Sequence, residues 1–190
     1  MACEQGIALL VHASTPAGPV YGLCGQVRAE TPGRLRLQYW LEADLSRLRV
    51  PRAGAGRRLD ELWKHTCFEA FIASSGTAAY HEFNFSPSRD WAVYRFMGYR
   101  ERMEPVPLAD APQIEVHQEE GRLRLDCSVA WLAPGGSRPA QAPLRVALAA
   151  VIEADDGRLS YWALRHPPGK PDFHHPDAFA LELALSTTPL

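Results

Sequence analysis

Two glutamates, an asparagine and an arginine recur in three neighbouring runs: Glu69 in residues 67–73, Glu82 and Asn84 in residues 80–85, and Arg95 in residues 91–98. Carboxylate, amide and guanidinium groups are planar and bond in pairs, so a set of them on one surface can hold neighbouring hydroxyls. Side chains of a strand alternate between its two faces. One parity of these runs gives Phe68, Ala70 and Ile72, then His81, Phe83 and Phe85, then Ala92, Tyr94 and Phe96. This nearly apolar set is expected to face a core. The other parity gives Cys67, Glu69 and Phe71, then Tyr80, Glu82 and Asn84, then Trp91, Val93, Arg95 and Met97. An ordinary solvated face would be richer in Lys, Ser and Thr. Rings beside planar charged groups suit a sugar, whose apolar face stacks on an aromatic while its hydroxyls are held in pairs. The plainer alternative is a Glu–Arg ion pair with aromatics partly covered by a loop, contributing fractions of a kcal/mol when exposed. The pattern by itself leaves both open.

Other chemistries find less support. His65, His81, His166, His174 and His175 fall near these runs or near the end of the chain. His166-x5-Asp172-x-His174 is not a standard metal-ligand spacing. Pro167, Pro168, Pro171 and Pro176 make that segment extended, so its histidines are expected to bond backbone groups, with ligand contact by His166 as a further option. His81 has core parity and is expected to be buried and hydrogen-bonded. Met97 and His166 form a conceivable axial pair for haem, but no Cys-x-x-Cys-His accompanies them. No metal and no cofactor are expected. Glu69 and Glu82 could be imagined as a glycosidase pair, yet nothing in the spacing fixes their separation. No Gly-x-Ser-x-Gly elbow, phosphate loop or dinucleotide glycine fingerprint is present, so the chain reads as non-enzymatic.

Bulk properties narrow the partners. The chain has 190 residues and a formal net charge of −2. Its only local excess of base, Arg49, Arg52, Arg57 and Arg58, lies in a Gly/Pro-containing stretch and reads as a solvated connection. Nucleic-acid binding would need a larger clustered positive field. The apolar run at residues 7–11 is too short for a secretory core or a membrane span. Cys3, Cys24, Cys67 and Cys127 are scattered, which suggests reduced thiols and a cytoplasmic location.

The elements that would carry these residues are short alternating runs bounded by turn residues: 7–13, 23–29, 35–41, 67–73, 80–85, 91–98, 114–118, 123–129, 144–153, 159–164 and 178–185. Their spacing predicts an all-β antiparallel sandwich of about 10 or 11 strands with little helix. The 16 prolines favour turns over long helices. Asp155-Asp156-Gly157 signals a hairpin, and Asp60 would cap a single turn running to Trp63. Residues 133–143, with Gly135-Gly136, read as a surface loop, so residues 1–190 are expected to form one domain.

Two stretches resemble a known group. Leu62-Trp63-Lys64-His65-Thr66-Cys67-Phe68-Glu69-Ala70-Phe71-Ile72, then Tyr80-His81-Glu82-Phe83-Asn84-Phe85-Ser86-Pro87 and Trp91, look like the signature half of DOMON-like domains, relatives of family 9 carbohydrate-binding modules. Trp162-Ala163-Leu164 through His166-Pro167 to Lys170-Pro171-Asp172-Phe173-His174-His175-Pro176 and Phe179 is similar to the close of that group. The signature stretches are residues 62–98 and 161–183. The resemblance implies an immunoglobulin-like sandwich whose concave sheet face binds a small ligand without catalysis, most simply a carbohydrate. It also implies that Trp63 and Trp162 stack on the sugar while Glu69 and Arg95 hold its hydroxyls, with Asn84 and Glu82 in support. Trp91 shares their parity. Family modules of this kind are normally secreted, appended to glycosidases and often calcium-bound; with no signal or Asp-rich calcium loop read here, a soluble sugar or sugar conjugate is the better expectation. Haem-binding relatives make a redox module the first alternative, and a protein-interaction domain with an unknown partner is the second.

Overall fold

A computed structural model describes residues 6–31, 33–102, 110–131 and 143–184. Among them are twelve strands in two antiparallel sheets and three single 3₁₀ turns. In chain order the strands are β1 (Ile7–Ala8), β2 (Leu10–Val11), β3 (Val20–Thr31), β4 (Arg34–Ala43), β5 (Cys67–Ser74) and β6 (Tyr80–Phe85). They continue with β7 (Trp91–Phe96), β8 (Gln113–Glu119), β9 (Arg122–Ala130), β10 (Leu144–Glu153), β11 (Leu159–Ala163) and β12 (Leu181–Leu183). One sheet has the order β1-β3-β4-β9-β8. The other runs β2-β11-β10-β5-β6-β7, with β12 beside the first half of β10.

The expected sandwich is thus present, and the strand positions follow the period-two runs closely. The first run is the exception. It splits at the buried Leu9, so that β1 pairs with β3 in one sheet and β2 pairs with β11 in the other. The chain thereby crosses the open side of the sandwich and ties the two sheets at one edge. The predicted hairpin at Asp155-Asp156-Gly157 forms, with Gly157 at φ +84°, a conformation that favours glycine. Asp60 does not cap its turn. The 3₁₀ turn occupies Leu62–Lys64, is preceded by Glu61 in the left-handed region, and has no side-chain cap. The predicted loop at residues 133–143 lies almost wholly outside the described residues.

The interior is built from Leu35, Leu37, Tyr39 and Leu41 of β4, Leu123, Leu125 and Val129 of β9, and the inward faces of β5, β6 and β10. Tyr39 has no exposed surface, and its hydroxyl finds a partner across the sandwich, donating to the carbonyl of Glu69 at 2.7 Å. That bond fixes the second sheet at the residue whose side chain leaves the opposite face. Of the cysteines expected to be reduced, Cys67 and Cys127 are free and buried, but Cys24 is disulfide-bonded. No helix among the described residues is long and apolar enough to cross a membrane.

The two outer faces differ. The five-stranded sheet carries ion pairs such as Arg124 with Asp126 at 2.8 Å and Arg36 with Glu30 at 3.3 Å. The seven-stranded sheet instead carries a second apolar layer formed by Phe71, Ala73, Tyr80, Tyr94, Phe96, Ala147, Ala149 and Val151. The extended segment after β11 folds back over this layer and packs Phe173 and Ala178 into it.

His81 faces the sandwich interior, as its parity required, but its expected hydrogen bond is missing at one nitrogen. Nδ1 is buried without a partner, and the ring meets Trp131 edge-on at 5.3 Å. Burial, with Arg95 beside it, lowers the imidazole pKa from 6.5 to about 4. The unfolded chain takes up a proton through that window and the folded chain does not, so stability is lost as pH falls from 6.5 towards 4. At 1.36 kcal/mol per unit the expected loss is roughly 2–3 kcal/mol. Denaturant titrations of the native protein and of His81→Leu should show a shallower pH slope in the variant over this range; equal slopes would refute the assignment.

Candidate functional site

A cleft of about 380 Å³ opens on the outer face of the seven-stranded sheet, within the size range of small-molecule sites. Its floor is polar. Glu69 of β5 and Glu82 of β6 project from adjacent strands, where Glu69 sits opposite Asn84 and Glu82 opposite Phe71. Trp63, Tyr94, Tyr161 and Phe173 supply aromatic walls, and Arg100, Arg102 and His174 complete the charged part of the lining.

Each wall is positioned by a traceable interaction. Trp63 stands on the 3₁₀ turn, 43% exposed. On one side of that turn the Tyr94 hydroxyl donates to Asp60 Oδ1 at 2.7 Å and accepts the Glu61 N–H at 3.4 Å. On the other, His65 Nδ1 lies 2.7 Å from Glu153 Oε2, and Glu153 also pairs with Arg49 at 2.8 Å. Arg100 occupies the left-handed region (φ 58°) in the turn after β7. Its N–H bonds the Tyr80 hydroxyl at 3.2 Å and its guanidinium holds Asp172 at 2.8 Å. These contacts offset a backbone conformation that is costly for a non-glycine residue. Arg102 lies 3.9 Å above the Tyr94 ring centre, a cation–π geometry.

His174 is held at both ring nitrogens. The Tyr80 hydroxyl, which accepts the Arg100 N–H, lies 2.8 Å from His174 Nδ1. Nε2 faces Glu82 Oε2 at 3.6 Å. Burial, reinforced by Arg100 and opposed by Asp172, lowers the His174 pKa to about 4, so the ring is neutral at ordinary pH. Glu82 accepts a bond from Asn84 Nδ2 at 2.7 Å. Burial raises its pKa; the Asn84 bond and the two arginines oppose the rise. Glu69 is buried further. Its Oε1 has no hydrogen-bond partner, and desolvation followed by repulsion from Glu82 holds its carboxyl well above the usual range.

A carboxyl whose pKa is raised on folding destabilises the folded state as pH rises above 4.5, because the native chain holds a proton that the unfolded chain has released. Glu69→Gln keeps the shape and removes the charge. The variant should therefore be about 1–2 kcal/mol more stable than the native protein at neutral pH, with the gain shrinking towards pH 4.5. Urea titrations at both pH values check this; a variant less stable at neutral pH would show that the carboxylate has an unseen partner.

The structure brings together Trp63, Glu69 and Glu82 in the cleft lining, with Asn84 fully buried behind Glu82 and bonded to it. It does not bring the other predicted residues there. Arg95 and Trp91 point to the inner side of the sheet. Five residues connect β6 to β7 and set Phe85 opposite Trp91 and His81 opposite Arg95, so both share the face of the inward Phe85 and His81. Tyr94 and Phe96, expected in the core, consequently take the outer face. Trp162 belongs to the inner face, 5% exposed, with Nε1 donating to Ser160 Oγ at 2.9 Å; its neighbour Tyr161 turns to the cleft instead. His166 bonds the Leu10 carbonyl at 2.8 Å beside β2, outside the cleft lining.

Met97 and His166 lie at opposite edges of the sheet, which removes them as an axial haem pair. His166 bonds the Leu10 carbonyl, whereas Asp172 Oδ1 accepts the backbone N–H of His174 at 3.1 Å and the His174 ring meets Tyr80. Among the described residues no group of three or more His, Cys, Asp or Glu side chains is arranged to hold a metal.

Fold and site together define an antiparallel β-sandwich with an aromatic, acid-floored cleft on the outer face of one sheet. No family model matches the chain, and neither does any curated protein. Solved structures do. A candidate carbohydrate-binding protein from Bacteroides uniformis aligns with a TM-score of 0.67 at 14% identity, over 95% of this chain and 84% of that one. A family 9 carbohydrate-binding module from Caldicellulosiruptor kristjanssonii, in complex with glucose, aligns with a TM-score of 0.55 at 12% identity over 97% and 84%. The cellotriose complex of a family 9 module from the same organism gives 0.56 at 8% identity over 100% and 88%. At these identities the likeness establishes a shared sandwich fold.

Proposed function

We propose that this chain is a non-catalytic carbohydrate-binding protein, of the group that DOMON-like domains share with family 9 modules, and that residues 1–190 act as one unit. The observation that carries the reading is the cleft itself: exposed Trp63 and the rings of Tyr94, Tyr161 and Phe173 around a floor of two buried carboxyl groups. A pyranose presents an apolar face to such rings and hydroxyl donors to such acceptors. Support comes from the sugars bound by the structural neighbours, glucose and cellotriose.

The disposition of the acids argues against glycoside hydrolysis. A hydrolase needs two carboxyls flanking the scissile bond, one to protonate the leaving oxygen and one on the other side of the ring. Glu69 and Glu82 come from adjacent strands of one floor, and the walls that would flank a ring are aromatic.

Titration calorimetry with glucose and short gluco-oligosaccharides tests the proposal. Saturable binding, with no reducing ends released on prolonged incubation, is the expected result. Absence of binding to any of them would overturn it and turn attention to the exposed Leu59, Trp63, Met97 and Tyr99 as a protein-contact surface.

A further inference from the structure

The cleft floor holds two buried carboxyl groups whose ionised charge a neutral sugar would not neutralise. Glu69 and Glu82 occupy neighbouring strands, both nearly excluded from solvent. Glu69 has no ion pair among the described residues and one oxygen without any hydrogen-bond partner. Glu82 has Asn84 and, at 3.6 Å, a neutral His174. The two arginines in the lining ease the ionisation of Glu82 but pair with neither acid of the floor, and each has an acid of its own. Arg100 holds Asp172 at 2.8 Å, and Arg102 lies 3.8 Å from Asp60.

Burying a carboxylate without a counter-charge is expensive, and leaving an acceptor unpaired adds to the cost. A sugar hydroxyl can satisfy the acceptor but leaves the charge in place. An ammonium group does both, donating up to three hydrogen bonds while neutralising one of the acids. The surrounding rings are compatible with a cation, because aromatic faces attract positive charge.

We propose that the preferred ligand of this cleft is an amino sugar, a hexosamine whose ammonium group sits between Glu69 and Glu82 while its ring lies against the aromatic walls. The proposal rests on the carbohydrate-binding reading and narrows it to a ligand class. In the ligand-free protein a proton on the acid pair takes the place of the ammonium group.

The test is calorimetry at about pH 7, just below the usual range for an amino group, with glucose, glucosamine and N-acetylglucosamine. Glucosamine should bind about tenfold more tightly than glucose, the difference expected for one charge-assisted hydrogen bond. N-acetylglucosamine, whose nitrogen is an uncharged amide, should show no such gain. In Glu69→Gln the preference for glucosamine over glucose should fall to within about twofold, while thermal melting shows that the variant is folded. Glu82→Gln provides the same reading should the first variant fold poorly. Glucose binding as tightly as glucosamine, or a preference that survives both substitutions, would overturn the amino-sugar proposal and leave carbohydrate binding standing. Failure of these three sugars and of the gluco-oligosaccharides to bind would overturn both, and binding of choline without any sugar would overturn both in favour of a simple cation site.

Discussion

Trp63→Ala is expected to weaken sugar binding by about 100-fold, roughly 2.7 kcal/mol, while changing the stability of the fold by no more than about 0.5 kcal/mol. Trp63 is 43% exposed, stands on a turn whose anchoring bonds are made by Glu61, Tyr94, His65 and Glu153, and donates no side-chain hydrogen bond among the described residues. Removing the indole leaves those anchors in place and takes away the most exposed ring of the cleft. Calorimetry and denaturant unfolding on the same sample separate the two effects. Unchanged affinity would place the ligand elsewhere, and a large loss of stability would make Trp63 a packing residue.

Trp162→Ala should show the reverse. This indole is buried on the inner face between the sheets, with its N–H satisfied by Ser160 Oγ at 2.9 Å. Truncation leaves a cavity and removes the donor to Ser160 Oγ, which keeps its bond to the Ile152 carbonyl at 3.4 Å, so unfolding should become about 3–5 kcal/mol easier. Any weakening of sugar binding in this variant should follow only from partial unfolding, and so disappear at low temperature where the variant is folded. A folded Trp162→Ala protein with native stability and lost binding would contradict the inner placement and restore the role that the sequence resemblance assigns to it.

The contrast between these two tryptophans shows how far the sequence can be read. Strand positions are legible because the period-two runs end at turn residues; β6 and β10 begin and end where the pattern places them. Glu69 and Glu82 are legible as a pair because each interrupts an apolar run at outward parity. The facing of β7 is not. It depends on a five-residue connection in which Arg89 adopts φ 71°, and that count, rather than the apolar character of Ala92, Tyr94 and Phe96, decides which side faces out. In that strand both parities contain large apolar residues, so hydrophobicity gives no vote. Tyr161 and Trp162 pose the same difficulty, because β10 is apolar on both faces and each ring could pack against it. Arg100 and Arg102 enter the cleft through a turn whose left-handed residue carries no glycine to announce it.

The cleft is the central claim, and nitrogen-resolved NMR of the native protein titrated with glucose and glucosamine tests it most directly. The account predicts progressive shifts of the Trp63 indole N–H and of the Glu69, Glu82 and Tyr161 amides, with the Trp162 indole unmoved. Shifts centred on Trp162 or on the five-stranded sheet, or none at saturating sugar, would contradict it.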